Sequence, residues 1–299
     1  MKELIEQLTL FLKPKQIKID EFLNKYTSFK IGGPARVLVK PAGMDEIARI
    51  INVCKSRNVK YYILGRGTNI LANDKGYDGV IILLSENFSE VSISGNVITA
   101  AAGAKLSNVA QLARENALTG FEFAHGIPGT IGGAVAMNAG AYDGEMKDVV
   151  VTAVVLMPNG EQKTLSNEEL ELGYRTSVIV KEGLVVLSAA IELKKASKDE
   201  ISNKMKDFGQ RRRDKQPLNY PSAGSTFKRP TGYFAGKLIE DANLSGFRIG
   251  DAMVSDKHCG FVINVGNATF EDVTKLIEEV KKRVFEKFGV MLEEEVKIL

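Results

Sequence analysis

Residues 125–141 read HGIPGTIGGAVAMNAGA, and the interpretation of the chain starts from this glycine-rich stretch. Four of the eight residues from Gly126 to Gly133 are glycine, and Pro128 fixes one φ. This composition predicts an irregular loop, neither helix nor strand, whose bare backbone a ligand can approach closely. Its successive N–H groups can bind an anion, and a helix starting in residues 134–141 would add partial positive charge. The stretch indicates a cradle for a nucleotide diphosphate; the alternative is a tight connection inside an α+β domain.

The composition of the 299-residue chain indicates an ordinary globular protein with room for two or three domains. Hydrophobic residues make up 44% of the chain and charged residues 26%, which is typical of globular domains. The net charge of +3 is too small to indicate a nucleic-acid surface. We therefore expect no nucleic-acid partner.

Cysteine and histidine are scarce, and this limits the chemistry. Cys54 and Cys259 lie in unrelated contexts, which favours a reducing compartment over a disulfide framework. With only two histidines beside them, we expect no metal site. The N-terminus lacks the features of a signal peptide, and the longest apolar run, residues 149–157, is too short to span a bilayer. We expect a cytoplasmic protein, monomeric and without a membrane partner.

Apolar periodicity predicts a mixed α+β chain. Helices are predicted over residues 1–13, 44–57, 106–118, 198–213, 233–242 and 270–288. Strands are predicted over residues 36–40, 59–64, 80–84, 149–157, 178–180, 184–193, 248–253 and 261–265, with a hairpin in 88–103 turning at Gly95 and Asn96. These elements group into three parts, residues 1–87, 88–207 and 208–299.

A second glycine loop, residues 65–69, reads GRGTN and follows a predicted strand. Gly65 and Gly67 let a ligand approach the backbone, while Thr68 and Asn69 can donate side-chain hydrogen bonds to phosphate. The alternative is a turn with an asparagine cap. Neither glycine stretch has the Rossmann pattern or the GK[ST] ending of a P-loop. Two such loops in adjacent parts favour one shared ligand.

Two further segments carry side chains suited to catalysis. Arg175, within YRTS, offers a fixed fork of donors for a carboxylate or phosphate; the alternative is a surface ion pair. Small neighbours around Ser225 would expose its hydroxyl, which could give a proton to a carbanion-like centre; the alternative is a plain loop. A Ser-His-Asp triad is poorly supported, because only His125 and His258 could serve as the histidine.

The charged runs are less specific. The acidic run, residues 293–295, must point carboxylates to both faces of a strand, so one could face inward; the alternative is a solvated tail. Residues 211–215, RRRDK, could supply cations for an anionic substrate, but charge alone favours a solvated helix end.

Six motifs together resemble one known family. SFKIGGPA, GRGTNIL, GIPGTIGGAVAMNAGAY, GYRTS, PSAGSTFKRP and LEEEV occur in order and at family-like spacing between about Asn24 and Val296. The chain resembles UDP-N-acetylenolpyruvoylglucosamine reductases, often called MurB. The spacing between Tyr174 and Ser225 is similar to that of the shorter, type II branch.

The resemblance implies a fold and a reaction. Residues 1–87 and 88–207 would form two subdomains of a vanillyl-alcohol-oxidase-type FAD-binding fold, and residues 208–299 an α+β substrate domain. The resemblance implies non-covalent FAD as cofactor and NADPH as co-substrate. Reduced FAD would pass hydride to the enolpyruvyl ether of a UDP-sugar, giving UDP-N-acetylmuramate for peptidoglycan. The protein would contribute geometry and electrostatics.

The same resemblance implies roles for individual residues. Ser225 matches the proton donor, Arg175 the catalytic arginine and Glu295 the catalytic acid, although Glu294 replaces a proline common in the family. Substrate contacts are implied for Lys215, Tyr174 and Arg229, the last standing where the family often has asparagine. The residues expected to bind FAD are Gly65, Arg66, Gly67, Thr68, Asn69, Ile127, Pro128, Gly129, Thr130, Gly132, Gly133 and Ala134.

Two other functions remain as alternatives. A flavin oxidase or dehydrogenase of the same fold would consume an alcohol or hydroxy acid, but Arg175, Ser225 and Glu295 argue against it. A non-catalytic nucleotide-binding protein would bind its ligand without redox turnover. This hypothesis does not explain why both glycine loops occur together with Ser225.

Overall fold

The structure is a computed structural model and describes residues 1–299. The helices are α1 (Lys2–Thr9), α2 (Met44–Ser56), α3 (Leu106–Glu115), α4 (Ile131–Ala136), α5 (Val178–Glu182), α6 (Lys198–Lys215), α7 (Ala235–Asp241) and α8 (Phe270–Phe288). None of them combines the length and the apolar composition that a membrane span requires.

The strands are short and numerous. They are β1 (Ile17–Phe22), β2 (Pro34–Val39), β3 (Tyr61–Leu64), β4 (Ile70–Leu71), β5 (Tyr77–Leu83), β6 (Val91–Ser94), β7 (Val97–Ala101), β8 (Leu118–Thr119), β9 (Gly140–Ala141), β10 (Gly144–Glu145), β11 (Val150–Leu156), β12 (Gln162–Ser166), β13 (Val185–Glu192), β14 (Lys194–Lys195), β15 (Arg248–Ile249), β16 (Ala252–Val254), β17 (Val262–Asn264) and β18 (Lys297–Ile298). The α+β composition expected from the sequence is confirmed.

The chain forms two compact units, each with its own hydrophobic core. The first unit comprises Met1–Ile19, Val37–Arg66 and Gly79–Arg212. The second comprises Asp20–Arg36, Gly67–Asp78 and Arg213–Leu299. The limits of the three predicted parts stay a prediction.

The first unit is built on a five-stranded antiparallel sheet with the order β12-β11-β13-β7-β6. The β6–β7 hairpin turns at Gly95 and Asn96 as predicted, and Gly95 supplies the positive φ of +63° that a tight hairpin needs. The chain also forms a four-stranded sheet with the order β1-β2-β5-β3, whose residues are not confined to the first unit and in which β3 is parallel to β5.

Helix α2 illustrates why periodicity succeeds in this unit. Four apolar residues at helical spacing are all buried on its inner face: Ile47, Ile50, Ile51 and Cys54. Burial raises the pKa of the Cys54 thiol to about 12, so this cysteine stays protonated and inert at neutral pH.

The second unit contains a three-stranded antiparallel sheet, β15-β16-β17, the parallel pair β4–β18, and helices α7 and α8. Helix α8 has the predicted bounds because both ends carry strong signals. Thr269 and Asp272 form a reciprocal capping box at its start. Gly289 ends it in the left-handed conformation, with φ +67°.

Two predicted strands are wrong. Residues 178–180 form helix α5, which buries Val178 and Ile179 and ends at Gly183, whose φ is +66°. Their β-branched side chains favoured a strand, but tertiary packing outweighs that preference over so short a segment. The strand predicted over residues 248–253 is the hairpin β15–β16, and it turns at Gly250, whose φ is +54°.

Two strands longer than two residues, β12 and β1, were missed, as were several two-residue strands. Strand β12 is mostly exposed and polar, so its sequence, QKTLS, has little apolar signal. It pairs with β11 across a turn at Pro158, Asn159 and Gly160. Strand β1 lacks the regular alternation that predicts a half-buried strand.

Candidate active site

The glycine-rich stretch contains a short helix, contrary to expectation. Helix α4 starts at Ile131, includes Gly132 and Gly133, and ends at Ala136; the helix predicted to start within residues 134–141 is therefore wrong. Thr130 is the N-cap: its buried hydroxyl accepts from the Gly133 N–H at 3.5 Å. The cap fixes the start of the helix despite the two glycines.

The backbone N–H groups at the start of α4 are partly used by the fold. Those of Ile131 and Gly132 donate to the carbonyls of Ala104 and Ala102, each at 2.9 Å. A Cβ at Gly132 would lie 2.8 Å from that of Ala102, so packing demands glycine there. The expectation that successive N–H groups of this stretch remain available to an anion is thus wrong for these two.

The second glycine loop touches the first. Within the first unit, a Cβ at Gly65 would lie 2.7 Å from the hydroxyl of Thr130. Within the second unit, Gly67 has φ +60°, and a Cβ there would collide with the carbonyl oxygen of Tyr26. Gly65 therefore leaves room for the Thr130 side chain, and Gly67 leaves room for the backbone of Tyr26.

Arg175 lies on a tight turn, residues 173–176, which we call the Arg175 turn. Gly173 and Thr176 exchange both backbone hydrogen bonds, at 3.0 and 3.2 Å. Arg175 has φ +56°, a conformation that a residue with a side chain seldom adopts. Its guanidinium carbon lies 5.0 Å from the ring centroid of Tyr174, which is exposed. The sequence predicted Arg175 as a site residue but not its strained backbone.

Ser225 and Glu295 belong to paired segments of the second unit. Lys228 N–H donates to Glu293 O at 2.8 Å, and Phe227 and Glu294 form an antiparallel bridge. The N–H groups of Glu295 and Val296 both point to the carbonyl of Thr226, at 2.8 and 3.4 Å. Two residues opposite one is the pattern of a β-bulge, which redirects the side chains at that point. Glu295 thus lies at the bulge, beside the residue that follows Ser225.

The other two acids of the run are held by lysines. Lys228 pairs with Glu293 at 3.0 Å, and Lys281 pairs with Glu294 at 2.7 Å. Burial acts to raise the pKa of Glu294, but the hydrogen bond and charge of Lys281 outweigh it and lower that pKa. Glu293 and Glu294 therefore have structural partners outside the bulge.

The second glycine loop joins the same backbone network. Asn69 Nδ2 donates to Glu295 O at 3.0 Å, and Lys297 N–H donates to Asn69 O at 2.9 Å. Strand β4, which follows Asn69, then pairs with β18. Within the second unit, the stretches singled out for Asn69, Ser225 and Glu295 are consequently neighbours.

Thr226 is the centre of this network and was not singled out from the sequence. Its buried hydroxyl accepts from Val262 N–H at 2.9 Å, and its own N–H donates to Gly260 O at 2.8 Å. No motif marks such a residue, because its role depends on pairing between segments far apart in the chain.

Two chain segments match known protein families. Residues 216–299 match the UDP-N-acetylenolpyruvoylglucosamine reductase C-terminal domain, and residues 35–166 match an FAD binding domain. The chain is 51% identical over 296 residues to the UDP-N-acetylenolpyruvoylglucosamine reductase of Caldanaerobacter subterraneus, across 99% of this chain and 98% of that protein. The chain belongs to the UDP-N-acetylenolpyruvoylglucosamine reductase family.

Other relatives agree with this family. The UDP-N-acetylenolpyruvoylglucosamine reductase of Clostridioides difficile is 51% identical over 288 residues, 96% of this chain and 95% of that protein. The crystal structure of the Thermus caldophilus reductase matches 94% of this chain and 99% of its own, with TM-score 0.81 and 34% identity. An alkyldihydroxyacetonephosphate synthase shares the fold alone, at TM-score 0.51 and 16% identity over 65% of this chain and 40% of its own. The predicted family and the vanillyl-alcohol-oxidase-type fold are confirmed.

The glycines of the family motif fit a bound FAD, which the domain match supports as cofactor. Gly133 is exposed, and a Cβ there would meet nothing closer than the Thr130 hydroxyl at 3.6 Å. Gly129 has similarly ordinary contacts, and neither residue has positive φ. The protein's own packing therefore does not require these two glycines, whereas a ligand lying against the backbone does.

Two of the predicted substrate residues, Lys215 and Arg229, are exposed and lie in the second unit. Lys215 is the last residue of α6, and Arg229 lies with its guanidinium carbon 3.9 Å from the ring centroid of Phe234. Phe234 is 61% exposed, and the sequence did not single it out.

The histidines show no sign of metal binding, and of the basic run 211–215 one residue, Arg212, contacts the candidate site. No three His, Cys, Asp or Glu side chains are grouped as a metal site requires. His125 has a lowered pKa because burial, followed by the charge of Arg114, disfavours its cation. Residues 211–215 were predicted to form a solvated helix end. Arg212 departs from this prediction, because its side chain reaches Gly126 at the start of the glycine-rich stretch. Burial lowers its pKa, although Tyr142 acts in the opposite direction.

Proposed function

We propose that this member of the family reduces UDP-N-acetylglucosamine enolpyruvate to UDP-N-acetylmuramate, a peptidoglycan precursor, with NADPH as reductant. The observation that carries the proposal is the backbone pairing of the Ser225 segment with the bulge at Glu295. It brings a hydroxyl-bearing residue and an acid to neighbouring positions of one rigid network. The family resemblance assigns catalytic roles to these same two positions.

The reaction adds one hydride and one proton across the carbon–carbon double bond of the enolpyruvyl ether. Hydride addition at the methylene carbon leaves an electron pair on the adjacent carbon, and the attached carboxylate delocalises it. A proton then reaches that carbon and completes a lactyl ether. When bound, reduced FAD supplies the hydride.

The protein's side chains are proposed to manage the charge and the proton. The guanidinium of Arg175 offers parallel donors to the substrate carboxylate, whose negative charge grows as the hydride adds. The Ser225 hydroxyl gives the proton, and Glu295 is the second acid–base group. Lys215 and Arg229 would contact the charged substrate, and Tyr174 would border it.

The cofactor contacts are proposed for the two glycine loops. Residues 65–69 and the segment from Ile127 to Ala134 would hold FAD non-covalently, with Gly129 and Gly133 leaving room for the ligand. The segment's membership in the matched FAD binding domain supports this assignment. We also propose that the protein works as a cytoplasmic monomer, and light scattering of the purified chain would test its mass.

Steady-state turnover tests the proposal. NADPH oxidation by the purified protein should depend on the enolpyruvyl UDP-sugar and should yield UDP-N-acetylmuramate. The variants Arg175→Ala and Glu295→Gln should lose most of this activity, while Glu293→Gln, which changes only the acid paired with Lys228, should keep it. Oxidation of an alcohol or hydroxy acid with oxygen as acceptor, and no turnover of the UDP-sugar, would instead identify a flavin oxidase.

A further inference from the structure

Asn138 lies near the end of the glycine-rich stretch and has no role in the assignments above. Its side chain is 0% exposed, and its amide bonds to backbone at both ends. Nδ2 donates to Gly173 O at 3.2 Å, and Oδ1 accepts from Lys147 N–H at 2.9 Å. Its φ is +43°, in the left-handed region that asparagine tolerates better than most residues. A buried amide with both partners satisfied fixes the groups that it joins.

One of those groups is the Arg175 turn, because Gly173 is the turn's first residue. The segment after the turn has a second anchor: Ser177 is also 0% exposed, and its hydroxyl donates to Ala136 O at 2.7 Å. Ala136 is the last residue of α4. The turn is thus fastened on both sides to the C-terminal end of the glycine-rich stretch.

We propose that Asn138 is a positioning residue that holds Arg175 in its working orientation. The inference rests on the proposed role of Arg175. A non-glycine residue at φ +56° persists only where its surroundings enforce that conformation. The bond from Asn138 to Gly173 supplies this restraint from outside the turn, so its loss lets the Arg175 backbone relax and its guanidinium move.

The Asn138→Asp variant isolates this bond. It keeps the size of the side chain, its tolerance of positive φ, and an oxygen for Lys147 N–H. It replaces the donor to Gly173 O with an acceptor, so the bond to the turn is lost.

Asn167→Asp is the matched control. Asn167 Nδ2 donates to the carbonyls of Lys147 and Val150, at 2.9 and 2.6 Å, in the same unit. The same exchange of donor for acceptor therefore occurs there without touching the Arg175 turn.

Rapid mixing separates the two half-reactions of the holoenzyme. In Asn138→Asp, reduction by NADPH should keep its native rate, while reoxidation by the enolpyruvyl UDP-sugar should slow by about 10-fold to 100-fold, as expected for a misplaced catalytic group. Asn167→Asp should keep both rates. Adding Asn138→Asp to Arg175→Ala should cause no further slowing, because the residue acts through Arg175.

A second readout needs no cofactor. Trypsin cuts after arginine only where the backbone opens, so the apoprotein of Asn138→Asp should be cleaved between Arg175 and Thr176 faster than the native chain or Asn167→Asp. If Asn138→Asp does not fold, Ser177→Ala removes the other anchor and should give the same results in both assays.

The outcomes separate the inference from the proposed function. If the native protein does not reduce the UDP-sugar, or if Arg175→Ala reoxidises normally, the proposed function or the role of Arg175 is wrong. If those hold but Asn138→Asp matches its control, or slows both half-reactions alike, Asn138 does not position Arg175. A double variant much slower than Arg175→Ala would also overturn the inference.

Discussion

Arg175, for which we propose a catalytic role, has a strained backbone conformation. Holding a non-glycine residue at φ +56° costs on the order of 1–3 kcal/mol, which glycine at the same position would not incur. The proposed contact of its guanidinium with the substrate carboxylate gives a reason for an arginine at this position. The motif made the arginine a candidate, but only the structure reveals the strain.

Comparing Arg175→Gly with Arg175→Ala tests this strain. Both variants lack the guanidinium, so both should lose substrate-dependent reoxidation. Arg175→Gly should nevertheless be more stable to urea than Arg175→Ala by about 1 kcal/mol, because only alanine is strained at positive φ. If alanine proved the more stable, as it is by roughly 0.5–1 kcal/mol at ordinary helix and strand positions, the strained turn would be refuted.

Helix α4 shows what an element adds to a motif. The sequence marked its glycines as a group, yet the structure gives them different reasons. Gly132 is needed for packing against Ala102, whereas Gly133 faces outward with room for a Cβ. The sequence could not separate the two glycines, because only Gly132 packs against Ala102, a contact that depends on the fold.

Alanine substitutions at these two glycines should therefore have opposite effects. Gly132→Ala should destabilise the apoprotein by about 1–3 kcal/mol through overpacking. Gly133→Ala should leave the apoprotein as stable or raise its stability by up to about 1 kcal/mol, while weakening FAD binding, because its methyl group takes up ligand space. Urea unfolding of the apoprotein and fluorescence titration with FAD measure the two effects. Native FAD affinity in Gly133→Ala would contradict the proposal that FAD lies against this segment.

Prediction from sequence was best where an element carries its own signals. Helices α2 and α8 were predicted within a residue or two because apolar periodicity, caps or both define them locally. Helix α5, strand β12 and the bulge at Glu295 depend on partners distant in the chain. Side-chain identity alone does not reveal those partners. The residues of the candidate site came from motifs, and their geometry came from long-range pairing.

At the scale of the whole molecule, pH dependence tests the environment of both histidines. Burial is the largest cause of the lowered pKa of His125 and of His258; Arg114 and Lys215, respectively, add to it, while a backbone hydrogen bond opposes it at His258. The unfolded chain therefore binds more protons at these sites than the folded chain does near and below pH ~6.5. The stability that they contribute is present above the unfolded pKa and is lost as pH falls toward the folded pKa.

The free energy of unfolding of the apoprotein should accordingly rise with pH through this window. In the double variant His125→Gln, His258→Gln, the free energy of unfolding should rise less steeply with pH. The difference between the native and variant curves gives the contribution of the histidines, separate from that of the carboxylates. Identical slopes, or a steeper one in the variant, would show that neither histidine is held neutral by the fold.

The proposed function of the whole molecule combines a flavin reduced by NADPH and reoxidised by the UDP-sugar, and an anaerobic two-step titration separates these two steps. NADPH should bleach the flavin of the native holoenzyme, and the enolpyruvyl UDP-sugar should restore its absorbance with formation of UDP-N-acetylmuramate. Ser225→Ala should bleach normally but recover on the order of 10²-fold more slowly, because only the second step needs the proton. Ser222→Ala, in the same loop, should behave as native. The account would be contradicted by a native flavin that the UDP-sugar fails to reoxidise, or by a Ser225→Ala variant that recovers at the native rate.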